Sequence, residues 1–288
     1  MASLPLARPV QWNDLGVRVL SALVLIPCAA AAVIWGGWLF LLLVAVGSAL
    51  LSMEWGIMSA PGASVRIGGA VMFAVLAGLF AGYVDNFPAA LLLLGFGAAA
   101  AALYARVLKV SPLDTAYGVL YVGWPCVVLM WLRKSPEGEG WTLLLFAIAW
   151  SSDICAYLIG SWLKGPKFWP RFSPNKTWSG FIGGVIAGIG AAVIFTLYAP
   201  EVVRIAPFLR NLDVGLSPRV AAVVGLLAAL ATMAGDLWES MLKRRFGVKD
   251  AGNLIPGHGG LMDRVDGMMF AVVALAACKL VVVHWGLA

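Results

Sequence analysis

Residues 234 to 245 read Ala-Gly-Asp-Leu-Trp-Glu-Ser-Met-Leu-Lys-Arg-Arg, which sets Asp236, Glu239, Ser240 and Lys243 at i, i+3, i+4 and i+7. On a helix those four share one face. A stretch containing Lys249, Asp250 and the turn Pro256-Gly257-His258-Gly259-Gly260 follows, and then Asp263, Arg264 and Asp266 open the next apolar run. Hard divalent cations prefer carboxylate oxygens, and Mg²⁺ is commonly held by one or two protein carboxylates together with substrate phosphates. Asp236 and Asp263, on different helices and supported by Asp266, have the chemistry to hold such an ion. Lys243, Arg244, Lys249 and Arg264 have the charge to neutralise phosphate oxygens. A plainer reading competes: Asp263, Arg264 and Asp266 form a helix start with a local ion pair, while Asp236 and Glu239 pair with Lys243. His258, alone in its loop, reads first as a turn residue.

A second constellation lies upstream. Asp153 sits within an apolar run, Trp-Ser-Ser-Asp-Ile-Cys, and Lys164, Lys167, Ser173, Pro174, Asn175, Lys176 and Thr177 follow in a connection ahead of a helix expected to start at Ser179. A basic loop with hydroxyl and amide donors before a helix N-terminus suits a phosphate. A positive loop with an ordinary cap is the competing reading. Asp153 tilts the balance, because an acid within a span needs a partner. Glu54 is another such acid, beside Trp55, and residue type alone gives it no role. Cys28, Cys126, Cys155 and Cys278 lie far apart within apolar runs, without metal-ligand or disulfide spacing.

The elements that position these residues follow from composition. Of 288 residues, 62% are hydrophobic and 12% charged, against about 45–50% and about 25% in ordinary globular chains. A soluble fold cannot hide that much apolar surface, which excludes disordered, collagen-like, disulfide-scaffold and cytosolic dinucleotide-binding classes. A hydrocarbon core about 30 Å thick requires about 20 apolar residues per helix. Such runs fall at 17–36, 38–58, 67–84, 89–108, 117–132, 141–162, 179–199, 219–242 and 265–285, broken by Gly36-Gly37 and by segments such as 85–88 and 109–112. In lipid these runs must be helices, so the expected fold is an all-α bundle of nine spans. Residues 1–140 supply five spans; residues 141–288 supply four and carry both constellations. With the N-terminus in the cytoplasm, fourteen of the twenty Lys and Arg fall on the cytoplasmic side and five opposite, with Lys279 inside the last span. That orientation turns both constellations to the side where nucleotides are. The net charge of +6 is then a matter of loop topology and anionic lipid rather than of nucleic acid. Gly180, Gly184 and Gly188 form small-xxx-small steps, suited to packing within one bundle or to a dimer seam.

The segment from Ser240 through Lys243, Arg244, Lys249 and Asp250, continued by Pro256, His258, Gly259, Gly260, Asp263, Arg264 and Asp266, resembles the C-terminal signature of the phosphatidate cytidylyltransferases, or CDP-diacylglycerol synthases. Ser173-Pro174-Asn175-Lys176-Thr177-Trp178 is similar to that family's second patch. Arg18, Ser21 and Pro27 resemble its first span. Ser179, Cys155 and Gly267 depart from the residues usual at those places. The resemblance implies an enzyme that joins CTP and phosphatidic acid into CDP-diacylglycerol and pyrophosphate. It implies Mg²⁺, with a monovalent cation such as K⁺ assisting in some members, and dimerisation, which is common in the family. It places Asp236, Asp263 and Asp266 at the metal, Lys243, Arg244, Lys249 and Arg264 at the triphosphate, and Ser173, Lys176, Thr177, Ser240 and His258 at substrate. The setting expected is a bacterial inner membrane, with the site facing the cytoplasm. Two alternatives stay open: a CTP-dependent transferase acting on an isoprenoid alcohol or an archaeal ether lipid, and an ion-coupled transporter using Asp153, Asp236 and Glu239.

Overall fold

A computed structural model describes residues 27–252 and 260–286. Arg18, Ser21, the start of the first expected span and His258 lie outside the described residues. Within them the chain forms α1 (27–35), α2 (Gly37–Ser59), α3 (Ser64–Tyr83), α4 (Phe87–Val107), α5 (Pro112–Lys134), α6 (Gly138–Leu163), α7 (Trp178–Ile205), α8 (Pro218–Arg245) and α9 (Met262–Trp285). Eight of these, α2 to α9, are long and apolar enough to cross a membrane. The protein is an all-α polytopic membrane bundle, as its composition requires.

The breaks have local causes. Gly36 and Gly37 have φ of +64° and +55°, a left-handed backbone that separates α1 from α2. Ser111 and Ser217 each precede a proline at the first helical position, and their hydroxyls accept from Asp114 N and Val220 N at 3.4 Å. Such a cap contributes about 1 kcal/mol, and a proline there loses no hydrogen bond. Asn86 caps α4 in the same way through Ala89 N.

One hydrophobic cluster includes Val33, Trp55, Leu145 and Leu275, so both halves of the chain share it. Phe73, Phe96, Leu103 and Ile186 point outward, as a bundle whose surrounding solvent is lipid allows. The glycine stripe of α7 is spent inside the bundle. A Cβ on Gly180 would meet Ala156 O at 2.7 Å, one on Gly184 the Met233 side chain at 2.6 Å, and one on Gly188 the Ala229 Cβ at 2.6 Å. Those steps seat α7 against α6 and α8 of the same chain.

At the end away from both constellations, Arg133 donates to Val33 O and Ile34 O, where α1 ends. Lys279, buried in the last span, donates to Ser135 Oγ at 2.7 Å and to Pro136 O. The connection after α6 differs from a plain loop. Strands β1 (Lys167–Trp169) and β2 (Ser173–Thr177) pair antiparallel, Lys167 opposite Thr177 and Trp169 opposite Ser173. Phe168 stacks on Phe181 of α7 at 4.8 Å and meets Trp178 edge-on at 4.5 Å, which fixes this hairpin to the start of α7.

Candidate active site

The two constellations meet at one end of the bundle, where α6 and α8 finish and α7 and α9 begin. Two glycines bring α8 and α9 together. A Cβ on Gly235 would lie 2.5 Å from Asp266 O, and one on Gly267 would lie 2.7 Å from Thr232 Cγ2 and 2.9 Å from Thr232 O. The backbones therefore touch, and Asp236, next to Gly235, comes within electrostatic reach of Asp266. The departure from the family pattern at Gly267 is thus a packing requirement.

Each outer acid holds an ammonium group. Lys176 Nζ, from β2, stands 2.6 Å from Asp236 Oδ1. Lys243 Nζ lies 2.5 Å from both Glu239 Oε2 and Asp263 Oδ1. The plain pairing of Glu239 with Lys243 is present, and Glu239 is fully buried. Asp236, by contrast, pairs across to the hairpin. Asp263 Oδ2 also accepts from Ala251 N at 3.3 Å and Gly260 N at 3.2 Å, so this carboxylate ties together the two described edges of the α8–α9 connection.

A cavity of about 740 Å³ opens between these elements. Asp153, Asp236, Asp263 and Asp266 line it, with Lys164, Lys167, Lys176 and Arg264 as the basic groups. Ala156, Tyr157, Phe168, Phe181, Met233 and Leu237 form an apolar portion. Thr177 also lines it, but its hydroxyl caps α7 by accepting from Gly180 N at 3.2 Å and lies 3.1 Å from Ser179 Oγ. The helix therefore starts one residue earlier than expected, at Trp178. Ser173, Ser240, Lys243, Arg244 and Lys249 do not line the cavity. Lys243 reaches it only through Asp263, and Arg244 donates to Val248 O at 3.4 Å.

Among the described residues no three of His, Cys, Asp and Glu converge closely enough to hold an ion by themselves. The donors nevertheless suit a hard divalent cation. They are oxygen-only, come from facing helices, and two of them are satisfied here by ammonium groups that a cation can replace. An ion held by one or two of these carboxylates completes its shell with water and substrate phosphate. Acids, basic residues and an apolar wall in one cavity can take a polyanionic group bearing a hydrocarbon part.

Residue type leaves two acids within the expected spans, Asp153 and Glu54, without a settled role, and both belong here. Asp153 faces the cavity from α6. Glu54, fully buried on α2, accepts from Leu261 N and Met262 N at 2.7 Å each. The available signal for Glu54 is its being the sole acid in a long apolar run, which demands a buried partner.

The chain matches the cytidylyltransferase family over residues 16–282. It is 44% identical over 162 residues to a phosphatidate cytidylyltransferase of Brucella suis, covering 56% of this chain and 54% of that protein. A phosphatidate cytidylyltransferase of Mycobacterium tuberculosis is 41% identical over 140 residues, covering 48% of this chain and 38% of the relative. One of Staphylococcus saprophyticus is 31% identical over 168 residues, covering 58% and 60%. The matches to the Brucella proteins thus span about half the length of those curated relatives. A match from the first expected span to residue 282 in the last turns of α9, on a chain whose acids and basic residues share one cavity, places it by descent: it belongs to the cytidylyltransferase family.

Proposed function

We propose that the protein transfers the cytidylyl group of CTP to phosphatidic acid. An oxygen of the lipid phosphate attacks the α-phosphorus of CTP, the bond from that phosphorus to the bridging oxygen breaks, and pyrophosphate leaves with those electrons. The products are CDP-diacylglycerol and pyrophosphate. The attacking phosphate is already anionic at neutral pH, so alignment and charge neutralisation carry the catalysis.

The observation that carries the reading is the composition of one cavity: among the described residues, four aspartates, four basic residues and an apolar wall, at an end of a membrane bundle. Arg264, Lys164 and Lys167 neutralise phosphate oxygens, and Lys176 exchanges Asp236 for a phosphate. Lys243 holds Asp263 in place, while Arg244 and Lys249 extend the positive field beyond the cavity. Asp236 and Asp263, with Asp266, would hold Mg²⁺, which when bound withdraws charge from the phosphates and helps hold the triphosphate; a monovalent cation is an additional family expectation. The Lys and Arg bias supports a cytoplasmic site on a bacterial inner membrane. A homodimer would use a face other than the Gly180 stripe, which is filled within the chain.

The test is Mg²⁺-dependent release of pyrophosphate from CTP by purified protein, with phosphatidic acid, an isoprenoid alcohol and an ether lipid as separate acceptors. Release with phosphatidic acid is expected. Release only with another lipid would keep the chemistry and change the acceptor. Ion flux into liposomes without CTP would replace the reading by a transporter.

A further inference from the structure

Glu54 sits on α2, in the half of the chain whose described residues contribute nothing to the cavity lining, yet its carboxylate ends 207 residues downstream. One oxygen accepts from Leu261 N and the other from Met262 N, each at 2.7 Å, and the side chain is fully buried. Helix α9 has no side-chain cap of its own, because the residue before its first turn is Leu261, which offers no acceptor. The first N–H groups of a helix have no partner inside it, and a carboxylate there is favoured by the helix dipole. Glu54 supplies from another helix what an aspartate at the cap position supplies locally.

The surroundings are built around that contact. A Cβ on Gly260 would lie 3.1 Å from Glu54 Oε1 and from Asp263 Oδ2 alike, and one on Gly252 would lie 3.0 Å from Glu54 Cγ. The next residue, Trp55, donates to Asp114 O at 3.0 Å and meets Phe246 edge-on at 5.7 Å, just past the end of α8. Glu54 and Trp55 thus touch both described edges of the connection that joins the two aspartate-bearing helices.

We propose that Glu54 is a positioning residue: by fixing the first turn of α9 it aims Asp263 and Asp266 into the cavity, and it governs nucleotide affinity without touching substrate. The proposal rests on the cavity being the nucleotide site, and its test separates the two. In full-length protein in lipid nanodiscs, hydrogen exchange of the amides at 261–266 is measured without nucleotide. The KM for CTP, kcat and thermal stability are measured alongside. Glu54→Gln keeps the shape but replaces one acceptor oxygen by an NH₂ group. Gly260→Ala leaves Glu54 in place and crowds the same junction from the loop.

Loss of a hydrogen bond to a charged group corresponds to about a 10- to 100-fold change. Exchange at the start of α9 is therefore expected to quicken at least about tenfold in both variants, with exchange in α3 and α4 unchanged. The KM for CTP rises by a similar factor, and Glu54→Asp, one methylene shorter, falls between. Unchanged exchange at 261–266 in Glu54→Gln would overturn the proposal. So would activity that falls only in step with the folded fraction while KM stays at the wild-type value. Should Glu54→Gln fail to fold, Gly260→Ala and Glu54→Asp decide by the same two readouts. Wild-type protein that does not use CTP would sink the proposed function and leave the exchange result standing.

Discussion

Lys176 of β2 and Asp236 of α8 form an ion pair, Nζ to Oδ1 at 2.6 Å, that joins the two constellations of the sequence across the cavity they line. Their side chains are 25% and 33% exposed. The Lys176 ammonium nitrogen is itself buried while the Asp236 side chain is a third exposed, so the pair is only partly screened; a divalent ion on the carboxylate and a phosphate on the ammonium would exchange these partners. The pair then acts as a latch holding both groups in place for their other partners.

Lys176→Met tests that second role. It keeps the length of the stem and removes the charge. Removing a charge-assisted hydrogen bond to phosphate costs about 1.5–3 kcal/mol, so turnover of CTP should fall about 10- to 100-fold. Stability should fall by about 1–3 kcal/mol, because the part-buried Asp236 is left without its ammonium. Steady-state rates and a thermal melt check both, and an unchanged rate would reduce Lys176 to the partner of Asp236.

Asp263→Asn should lower turnover at least about a hundredfold, as expected when a charge that stabilises the transition state is neutralised. The sequence alone suggests little cost in folding. The structure adds a modest one, because Asp263 Oδ1 holds Lys243. Lys243 keeps Glu239 as a partner, but the one oxygen of Asn cannot serve both Lys243 and the N–H groups of Ala251 and Gly260, so the loss should be about 1–3 kcal/mol. Retained activity at ordinary Mg²⁺ would remove Asp263 from the site.

Gly267→Ala probes the packing of α8 on α9. The new methyl would lie 2.7 Å from Thr232 Cγ2, and such overpacking costs about 1–3 kcal/mol. Separating the helices also moves Asp266 away from Asp236, so activity per folded molecule should drop as well. Gly190→Ala, with nothing within 4 Å, is the control and should be neutral in both. Equal activity per folded molecule in the Gly267 variant would show that the spacing of these acids is not critical.

Eight of the nine expected spans, those from Gly37 onward, were legible because a bilayer imposes length and apolarity together, and because proline after serine marks a helix start, as at Ser111 and Ser217. The acids of α8 and α9 were legible because charge at membrane depth needs a reason. Three features were not. The hairpin of β1 and β2 has too few residues, with Pro174 and Asn175 among them, for alternation to register. The role of Glu54 depends on partners 207 and 208 residues away, which periodicity cannot reveal. The approach of Gly235 to Asp266 depends on how two helices cross, and one sequence read alone does not state a crossing.

Asp153 faces the cavity from α6, within electrostatic reach of Asp236, Asp266 and Lys176, while among the acids lining the cavity Asp236 and Asp263 hold ammonium groups. Two functions fit an acid so placed. As part of the negative field that draws a divalent ion to Asp236, its neutralisation weakens ion binding and leaves the chemical step intact. As a direct participant, its neutralisation lowers the rate at any ion concentration. The arrangement favours the first, because the acid reaches the other carboxylates through space and through the ammonium of Lys176. Removing one of several like charges around a cation site changes affinity by about 1 kcal/mol at the effective dielectric of a half-exposed cavity. Asp153→Asn should therefore raise the Mg²⁺ concentration for half-maximal rate about three- to tenfold, with the rate at saturating Mg²⁺ within about twofold of the parent. A Mg²⁺ titration of both proteins checks this. A rate that stays depressed at saturating Mg²⁺ would move Asp153 from the surrounding field to the reacting groups.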